Sequence, residues 1–312
     1  MTLQTDIQKL VTDALPNAAP GSGYGYIAPD AAHVCGGVGV SNIATKAPFT
    51  ALTRFRICSV TKQFTTVLTM MAAAEGLLKI SDHPKLYYPD LGCDHPHLTL
   101  RYLMTNQSGI KDYWCVAMTM GARPETQFTR AHTDMLLAAP LQLDFEPGSQ
   151  FAYSNTNFAL LGRILDLVYR QPFAALVHDK LFAPLGMANS FVPASTAVPL
   201  PGNPQGYEDE GLPADVNLSW EGDAGIISTI ADMQRWQSAQ LDANHWLQTY
   251  FKACYAPGNF KDGGIASYRC GIRRIEREGG LELAHTGGLR GWRMASVLRP
   301  ESGEAALVML NH

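Results

Sequence analysis

Ser59-Val60-Thr61-Lys62 opens the stretch that decides the fold, and the residues after it run mostly apolar as far as Gly76. Apolar side chains would fall on most faces of a helix over this stretch, and glycine is suited to end a helix in the left-handed conformation. The stretch therefore predicts a buried central helix with Ser59 at its start. A lysine one turn inside such a helix is costly unless it has polar partners.

The serine and the lysine are three residues apart, a spacing at which helical side chains are neighbours with Cβ atoms about 5–6 Å apart. Lys62 can therefore contact the hydroxyl of Ser59. The alternative is a helix-capping serine beside a surface lysine. Two later motifs favour chemistry instead, because Tyr153-Ser154-Asn155 offers a phenol and an amide, and His285-Thr286-Gly287 falls where a strand is expected.

The three motifs in this order resemble those of the penicillin-recognising serine hydrolases, the superfamily of class C β-lactamases, D,D-carboxypeptidases and related esterases and amidases. The resemblance covers about residues 20–311. Further segments look like landmarks of that superfamily, at residues 146–148, 184–187, 225–233 and 285–292. No internal repeat interrupts the pattern.

Within the superfamily the chain is most similar to the catalytic domain of bacterial D-stereospecific aminopeptidases. The segments that carry this likeness are residues 56–65, 106–114, 145–149, 222–225, 260–263 and 289–293. Two differences stand out. Those aminopeptidases have His-Gly-Gly where this chain has His285-Thr286-Gly287, and they carry two further barrel domains, one loop of which enters the active site.

The chemistry suggested by these residues is acyl transfer through a covalent intermediate, with Ser59 as the nucleophile and Lys62 and Tyr153 exchanging its proton. A free tyrosine is too weak an acid to ionise at neutral pH, so the nearby ammonium must favour the phenolate or relay the proton. The resemblance implies that Asn155 binds the lysine and the substrate, and that the backbone N–H groups of Ser59 and Gly288 form the oxyanion hole. A packed core tyrosine and a helix-capping asparagine are the alternatives at 153 and 155.

His285 is the residue that discriminates among activities. In the resembling family, enzymes that bind the carboxylate of a β-lactam or of a D-Ala-D-Ala terminus generally have a lysine there, whereas histidine is largely neutral near pH 7. Carboxylate recognition is thereby weakened. A substrate with a free amino group would instead need an acid, and Asp223 is the candidate, with Gly287 as a second substrate-binding position. A simple turn residue is the alternative at Asp223.

Strand patterns stand at both ends of the chain and helical patterns in the middle, which predicts an α/β (α+β) fold with an antiparallel sheet flanked by helices and an inserted all-helical subdomain, as in β-lactamases and transpeptidases. The predicted strands are residues 22–28, 33–40, 267–276, 281–285, 292–298 and 305–310. The predicted helices are residues 126–138, 157–170, 173–182 and 229–241. We predict one catalytic domain over 1–312, in which 1–75 and 220–312 form the sheet subdomain and 76–219 the helical one.

The resembling family usually adds a long helix after its last strand. This sequence ends at His312. We expect either that the chain is truncated or that another element covers that face of the sheet, since an uncovered face would expose a large apolar patch, which usually indicates a partner or aggregation.

Composition is that of a globular enzyme, with 46% hydrophobic and 17% charged residues over 312 positions. A net charge of −4 provides no basic field for nucleic acid. The start of the sequence has no secretory pattern and no apolar run approaches a membrane span, which predicts a cytoplasmic protein. The six cysteines show no metal-binding spacing, so we expect free buried thiols, with Cys58 packed beside the nucleophile, and no metal or organic cofactor.

The sequence therefore predicts a serine hydrolase that forms an acyl-enzyme and releases small N-terminal D-amino acids from peptides or amides. A carboxylesterase on the same site is the alternative. A D,D-carboxypeptidase, a β-lactamase or a non-catalytic scaffold are the remaining ones. The expected partner is a small molecule or short peptide, with a homo-oligomer possible.

Overall fold

The computed structural model describes residues 2–15, 20–123, 125–208, 211–214 and 216–312. Within these residues an eight-stranded antiparallel sheet dominates the fold, with the order β3-β2-β1-β10-β9-β8-β7-β6. Its strands are β1 Gly21–Ile27, β2 His33–Asn42, β3 Ala47–Pro48, β6 Tyr268–Arg269, β7 Ile272–Arg277, β8 Gly280–Leu289, β9 Trp292–Arg299 and β10 Glu304–Leu310. A separate two-stranded pair joins β4 Phe55–Arg56 to β5 Ile227–Ser228.

Helices pack on both faces of this sheet and fill the middle of the chain. They are α1 Leu3–Ala14, α2 Thr61–Ala74, α3 Leu100–Met104, α4 Tyr113–Thr119, α5 Arg130–Ala138, α6 Asn155–Tyr169, α7 Phe173–Val177, α8 Ile230–Leu241 and α9 Gln248–Tyr255. No helix in the described part of the chain is long and apolar enough to cross a membrane.

The first strand shows how the two faces are covered. Gly23 faces α8, and a Cβ added there would overlap Ile230, so only a glycine lets that helix approach. The next residue, Tyr24, points to the opposite face, where its hydroxyl accepts a hydrogen bond from Gln4 of α1 at 3.1 Å. The amino-terminal helix α1 therefore covers part of the face that the sequence left without a partner.

The helix α2 is the centre of the core, as the apolar stretch predicts. Phe64 stacks on Trp236 of α8 with ring centroids 4.0 Å apart. Two of its buried threonines donate hydrogen bonds to neighbouring loops, Thr65 to the carbonyl of Gly222 at 2.6 Å and Thr66 to that of Cys270 at 3.0 Å. These bonds fix α2 to the two loops that border the site.

The predicted α+β fold is confirmed, and most predicted elements are present with shifted ends. One strand prediction is wrong, because 267–276 is broken into β6 and β7. The break occurs at Gly271, whose positive φ of 71° turns the chain against the main chain of Lys62. The predicted helix over 173–182 changes to a π-helical turn after Val177. The division into two subdomains stays a prediction.

Candidate active site

Ser59 lies in a short 3₁₀ turn, Cys58–Val60, between β4 and α2. The residue before it, Cys58, has a positive φ of 48°, a strained conformation for a residue with a side chain. This turn is pressed against β8, where a Cβ on Gly287 would overlap the carbonyl oxygen of Ile57. Gly287 is therefore required for close packing of the sheet on the serine turn.

Lys62 is fully buried and its ammonium has three hydrogen-bond acceptors. Nζ lies 3.2 Å from Oγ of Ser59, 2.8 Å from Oδ1 of Asn155 and 2.7 Å from the main-chain oxygen of Asp223. All three N–H groups of an ammonium are thus used. The first two contacts are those that the motifs predict, and the third involves the backbone of Asp223.

The aromatic ring of Tyr153 covers this ammonium, with Nζ of Lys62 4.9 Å from the ring centroid. The tyrosine is 37% exposed, so it is not a packed core residue. Asn155 is the first residue of α6, and its side chain is turned to Lys62 without a capping bond to its own helix. The structure therefore brings Ser59, Lys62, Tyr153 and Asn155 together.

His285 is almost entirely buried in the wall of the pocket and is held by two hydrogen bonds. Nε2 lies 3.0 Å from the hydroxyl of Tyr268, and Nδ1 lies 2.6 Å from the main-chain oxygen of Thr286. A carbonyl can only accept, so Nδ1 carries the proton and Nε2 accepts from the tyrosine. Burial, with the Lys62 ammonium nearby as a lesser cause, lowers the pKa of His285 to about 3. The histidine is therefore neutral at physiological pH.

A cavity of about 330 Å³ opens over these groups. Its lining residues are Ser59, Tyr153, Tyr268, Arg273, Ala284, His285, Thr286 and Gly288. Arg273 is exposed, lies opposite Ala284 in the sheet, and forms no ion pair with any residue that the structure describes. The pocket therefore contains a cation that the motifs do not predict.

The main chain of Gly288 faces the pocket for a geometric reason. Leu289 and Trp292 close a two-residue hairpin and pair with each other, and in an antiparallel ladder the bonded pairs alternate. The N–H of Gly288 consequently points away from β9, toward the edge where β7 pairs only as far as Ala284. A free backbone donor at this edge suits an oxyanion hole, and that role stays a prediction.

Asp223 and Gly287 are placed differently from the expectation that they bind substrate. The carboxylate of Asp223 is buried and accepts a hydrogen bond from the hydroxyl of Tyr113 at 2.7 Å, so it does not line the pocket. Desolvation raises its pKa above the ordinary value. Gly287 packs on the serine turn instead of lining the pocket. Neither position lines the pocket in this structure, so a substrate-binding role at Asp223 or Gly287 stays an untested prediction.

Two pocket residues, Tyr268 and Arg273, were not predicted from the sequence. They lie on β6 and β7, outside any motif, and only the register of β7 on β8 brings Arg273 beside the site. Tyr268 carries no local signal at all. Its ring meets that of Tyr153 edge-on at 6.0 Å, which links the phenol to His285.

The thiols do not contribute a reactive group to the site. All six cysteines are free, and Cys115 is exposed, contrary to the expectation that all are buried. Burial raises the pKa of Cys58 to about 12, so the thiol beside Ser59 is protonated and inert. Among the described residues no group of three or more histidine, cysteine or acidic side chains is arranged to hold a metal ion.

Comparisons with known proteins show what the whole chain is similar to. A sequence model of the beta-lactamase family matches residues 7–312. The chain is 33% identical to the D-aminopeptidase of Gluconobacter oxydans (strain 621H) over 310 residues, which cover 96% of this chain and 57% of that protein. It is 34% identical to the D-aminopeptidase of Brucella anthropi over 260 residues, 82% of this chain and 49% of that protein. The chain thus spans about half the length of these relatives.

Solved structures share the fold at lower sequence identity. An octameric penicillin-binding protein homologue from Pyrococcus abyssi superposes with a TM-score of 0.83 at 21% identity, over 99% of this chain and 74% of that one. A D-stereospecific amidohydrolase from a Streptomyces species superposes with a TM-score of 0.79 at 21% identity, over 99% and 94% of the two chains.

Proposed function

The chain belongs to the beta-lactamase family, and on this premise we propose that it is a serine hydrolase that releases small N-terminal D-amino acids from amides or short peptides. The observation that carries the proposal is the ammonium of Lys62, which is 3.2 Å from Oγ of Ser59 at the floor of an open pocket. The choice of substrate is supported by the relatives named D-aminopeptidase.

The proton of Ser59 is the first step to explain. Lys62 donates to Ser59 in the resting arrangement, and an ammonium cannot take up a further proton. Lys62 must therefore pass on a proton before it can act as a base, or Ser59 must give its proton to another group. Tyr153, whose ring lies over the ammonium, is the group we assign to this exchange.

Attack by Oγ of Ser59 on the amide carbonyl then forms a tetrahedral intermediate. We assign the N–H groups of Ser59 and Gly288 to its oxyanion, each such donor contributing about 2.7–4 kcal/mol. Return of the proton to the leaving amine breaks the amide bond and leaves an acyl-enzyme, which water hydrolyses by the same relay. His285, being neutral, supplies no charge to these steps.

A second candidate is a hydrolase for substrates with a free carboxylate beside the scissile bond, as in a carboxypeptidase. Arg273 favours it, because this exposed guanidinium lines the pocket and a guanidinium binds a carboxylate through two parallel hydrogen bonds. The position of Asp223 weakens the case for a substrate with a free ammonium group. Its carboxylate accepts from Tyr113 and does not line the pocket, so it provides no negative charge there.

The test is a comparison of four substrates, D-alanine p-nitroanilide, its L enantiomer, its N-acetyl derivative and p-nitrophenyl butyrate. The aminopeptidase proposal expects the first to be cleaved fastest, with no turnover by Ser59→Ala. Equal rates on the free and the acetylated anilide would reject an aminopeptidase. Cleavage of the butyrate ester alone would leave the carboxylesterase. The cytoplasmic location and the homo-oligomer remain proposals, to be checked by fractionation and by light scattering.

A further inference from the structure

The ammonium of Lys62 is aimed by two acceptors that belong to different parts of the chain. One is Oδ1 of Asn155, at the first position of α6, and the other is the main-chain oxygen of Asp223, in the turn before β5. With two N–H groups committed to these oxygens, tetrahedral geometry sets the direction of the third, which meets Ser59. Whatever holds the two acceptors therefore also aims the lysine at the serine.

Asp112 holds the first acceptor. One carboxylate oxygen accepts the backbone N–H of Asn155 at 2.6 Å, and the other accepts the backbone N–H of Cys115 at 2.9 Å. A single side chain thus caps the starts of both α6 and α4, whose first N–H groups have no partner within the helix. Because the bond to Asn155 is made to its backbone, the side-chain amide stays free for Lys62.

Tyr113, the next residue, holds the second acceptor. Its hydroxyl donates to Oδ2 of Asp223 at 2.7 Å, and its backbone N–H donates to Oγ1 of Thr156 at 2.7 Å. Burial raises the pKa of Tyr113 well above its ordinary value, so the phenol keeps the proton that it donates. Its ring is fixed by stacking on Phe128, with centroids 5.8 Å apart.

We propose that Asp112 and Tyr113 are positioning residues of the reaction, which fix the two oxygens that orient the Lys62 ammonium toward Ser59. The proposal rests on the proposed function for its meaning in catalysis. Neither residue lines the pocket, so neither touches the substrate. Adjacent positions in the chain thereby coordinate two acceptors that are 68 residues apart, at 155 and 223.

A purely structural role for these two residues predicts something different. Hydrogen bonds to a charged group favour its charged form. Displacing either acceptor oxygen therefore weakens its hydrogen bond to the ammonium, and Lys62 then loses its proton at lower pH. In Tyr113→Phe, which changes no charge, a loss of packing alone would lower the melting temperature and leave the titration of Lys62 in place.

The experiment follows the Cε resonance of Lys62 in protein with ¹³C-labelled lysine, assigned by its absence from Lys62→Ala, as a function of pH. The variants are Tyr113→Phe, which removes one hydroxyl, and Asp112→Asn, which replaces one acceptor oxygen by a donor. The matched control is Tyr87→Phe, because Tyr87 donates to Asp82 at 2.5 Å in a Tyr–Asp pair outside the site. Asp112→Ser is added because serine can still cap α4 with its one oxygen.

Both Tyr113→Phe and Asp112→Asn are expected to move the titration midpoint about half a pH unit or more to lower pH, with Asp112→Ser following Asp112→Asn. The control should stay at the wild-type midpoint. Labelling of Ser59 by a fluorophosphonate should slow about tenfold or more in the two variants, since small displacements at a reacting pair have large effects on rate. Melting temperatures report the structural part separately.

Midpoints equal to the wild type in folded Tyr113→Phe and Asp112→Asn would overturn the positioning role, even if their activity fell. Failure of the wild-type protein to label at Ser59 would instead overturn the proposed function. In that case a shifted midpoint in Tyr113→Phe would still show that Tyr113 orients the lysine, because the resonance is read without turnover.

Discussion

The hydroxyl of Tyr268 donates a hydrogen bond to Nε2 of His285 over 3.0 Å, and this bond occupies the nitrogen that a proton would otherwise reach. The other ring nitrogen already donates to the carbonyl of Thr286. A proton added at Nε2 would therefore meet the hydroxyl hydrogen of Tyr268. It would also place a second positive charge in a buried position near the ammonium of Lys62. The third motif thus contributes a fixed, neutral imidazole.

The neutral histidine predicts a loss of stability in acid. The folded pKa of His285, about 3, lies below the ordinary value of 6.5, so the unfolded chain binds the proton more readily. Its contribution is fully present above pH 6.5 and is lost as pH falls toward 3. Between pH 7 and pH 5 the free energy of unfolding should fall by about 2 kcal/mol more in the wild type than in His285→Gln.

Guanidinium denaturation at the two pH values measures this difference. His33→Gln is the matched histidine-to-glutamine control, because His33 is exposed at the start of β2. Equal pH dependence in wild type and His285→Gln would contradict a neutral buried histidine.

The reacting groups predict a set of overlapping losses. Ser59→Ala should abolish turnover and labelling, while Lys62→Ala and Tyr153→Phe should each reduce kcat by at least roughly 10²- to 10⁴-fold, the range of a positioned acid–base group. Because the three side chains act as a unit, the double variant Lys62→Ala/Tyr153→Phe should lose little more of kcat than either single variant. Steady-state kinetics on the best anilide substrate measures this. A Ser59→Ala protein that retains more than a few per cent of the rate would remove the serine from its role.

The sequence could predict the centre of the site because its parts are local. Ser59 and Lys62 share one helical turn, and the apolar run after them required the lysine to have polar partners. The direction of the Asp223 carboxylate could not be predicted, since it depends on Tyr113, 110 positions earlier in the chain. The place of Arg273 in the pocket could not be predicted either, because it depends on the register of β7 on β8, which the sequence alone does not give.

Asp223 itself supports a prediction about substrate charge. Its carboxylate bonds to Tyr113 and only its main-chain oxygen reaches the site, so Asp223→Asn should leave the preference between free and N-acetylated D-alanine p-nitroanilide unchanged within about twofold. Loss of a direct charge pair would instead cost about 2–5 kcal/mol, a change of roughly 30-fold or more in that ratio. The ratio of kcat/KM on the two substrates decides between these outcomes. A large drop in this ratio in Asp223→Asn would mean that the carboxylate of Asp223 does reach the substrate amine.

Arg273 supports the last prediction, which concerns the other end of the substrate. If a carboxylate binds beside the scissile bond, Arg273→Gln should raise KM for an N-acyl-D-alanyl-D-alanine peptide and change little for the same peptide with a C-terminal amide. The guanidinium is exposed, so its interaction is screened by water and should contribute about 1 kcal/mol, or roughly fivefold in KM. The control is Arg274→Gln, since this neighbour on β7 is paired with Glu276. Equal effects of Arg273→Gln on acid and amide would exclude carboxylate recognition by this residue and leave the aminopeptidase as the better description of the pocket.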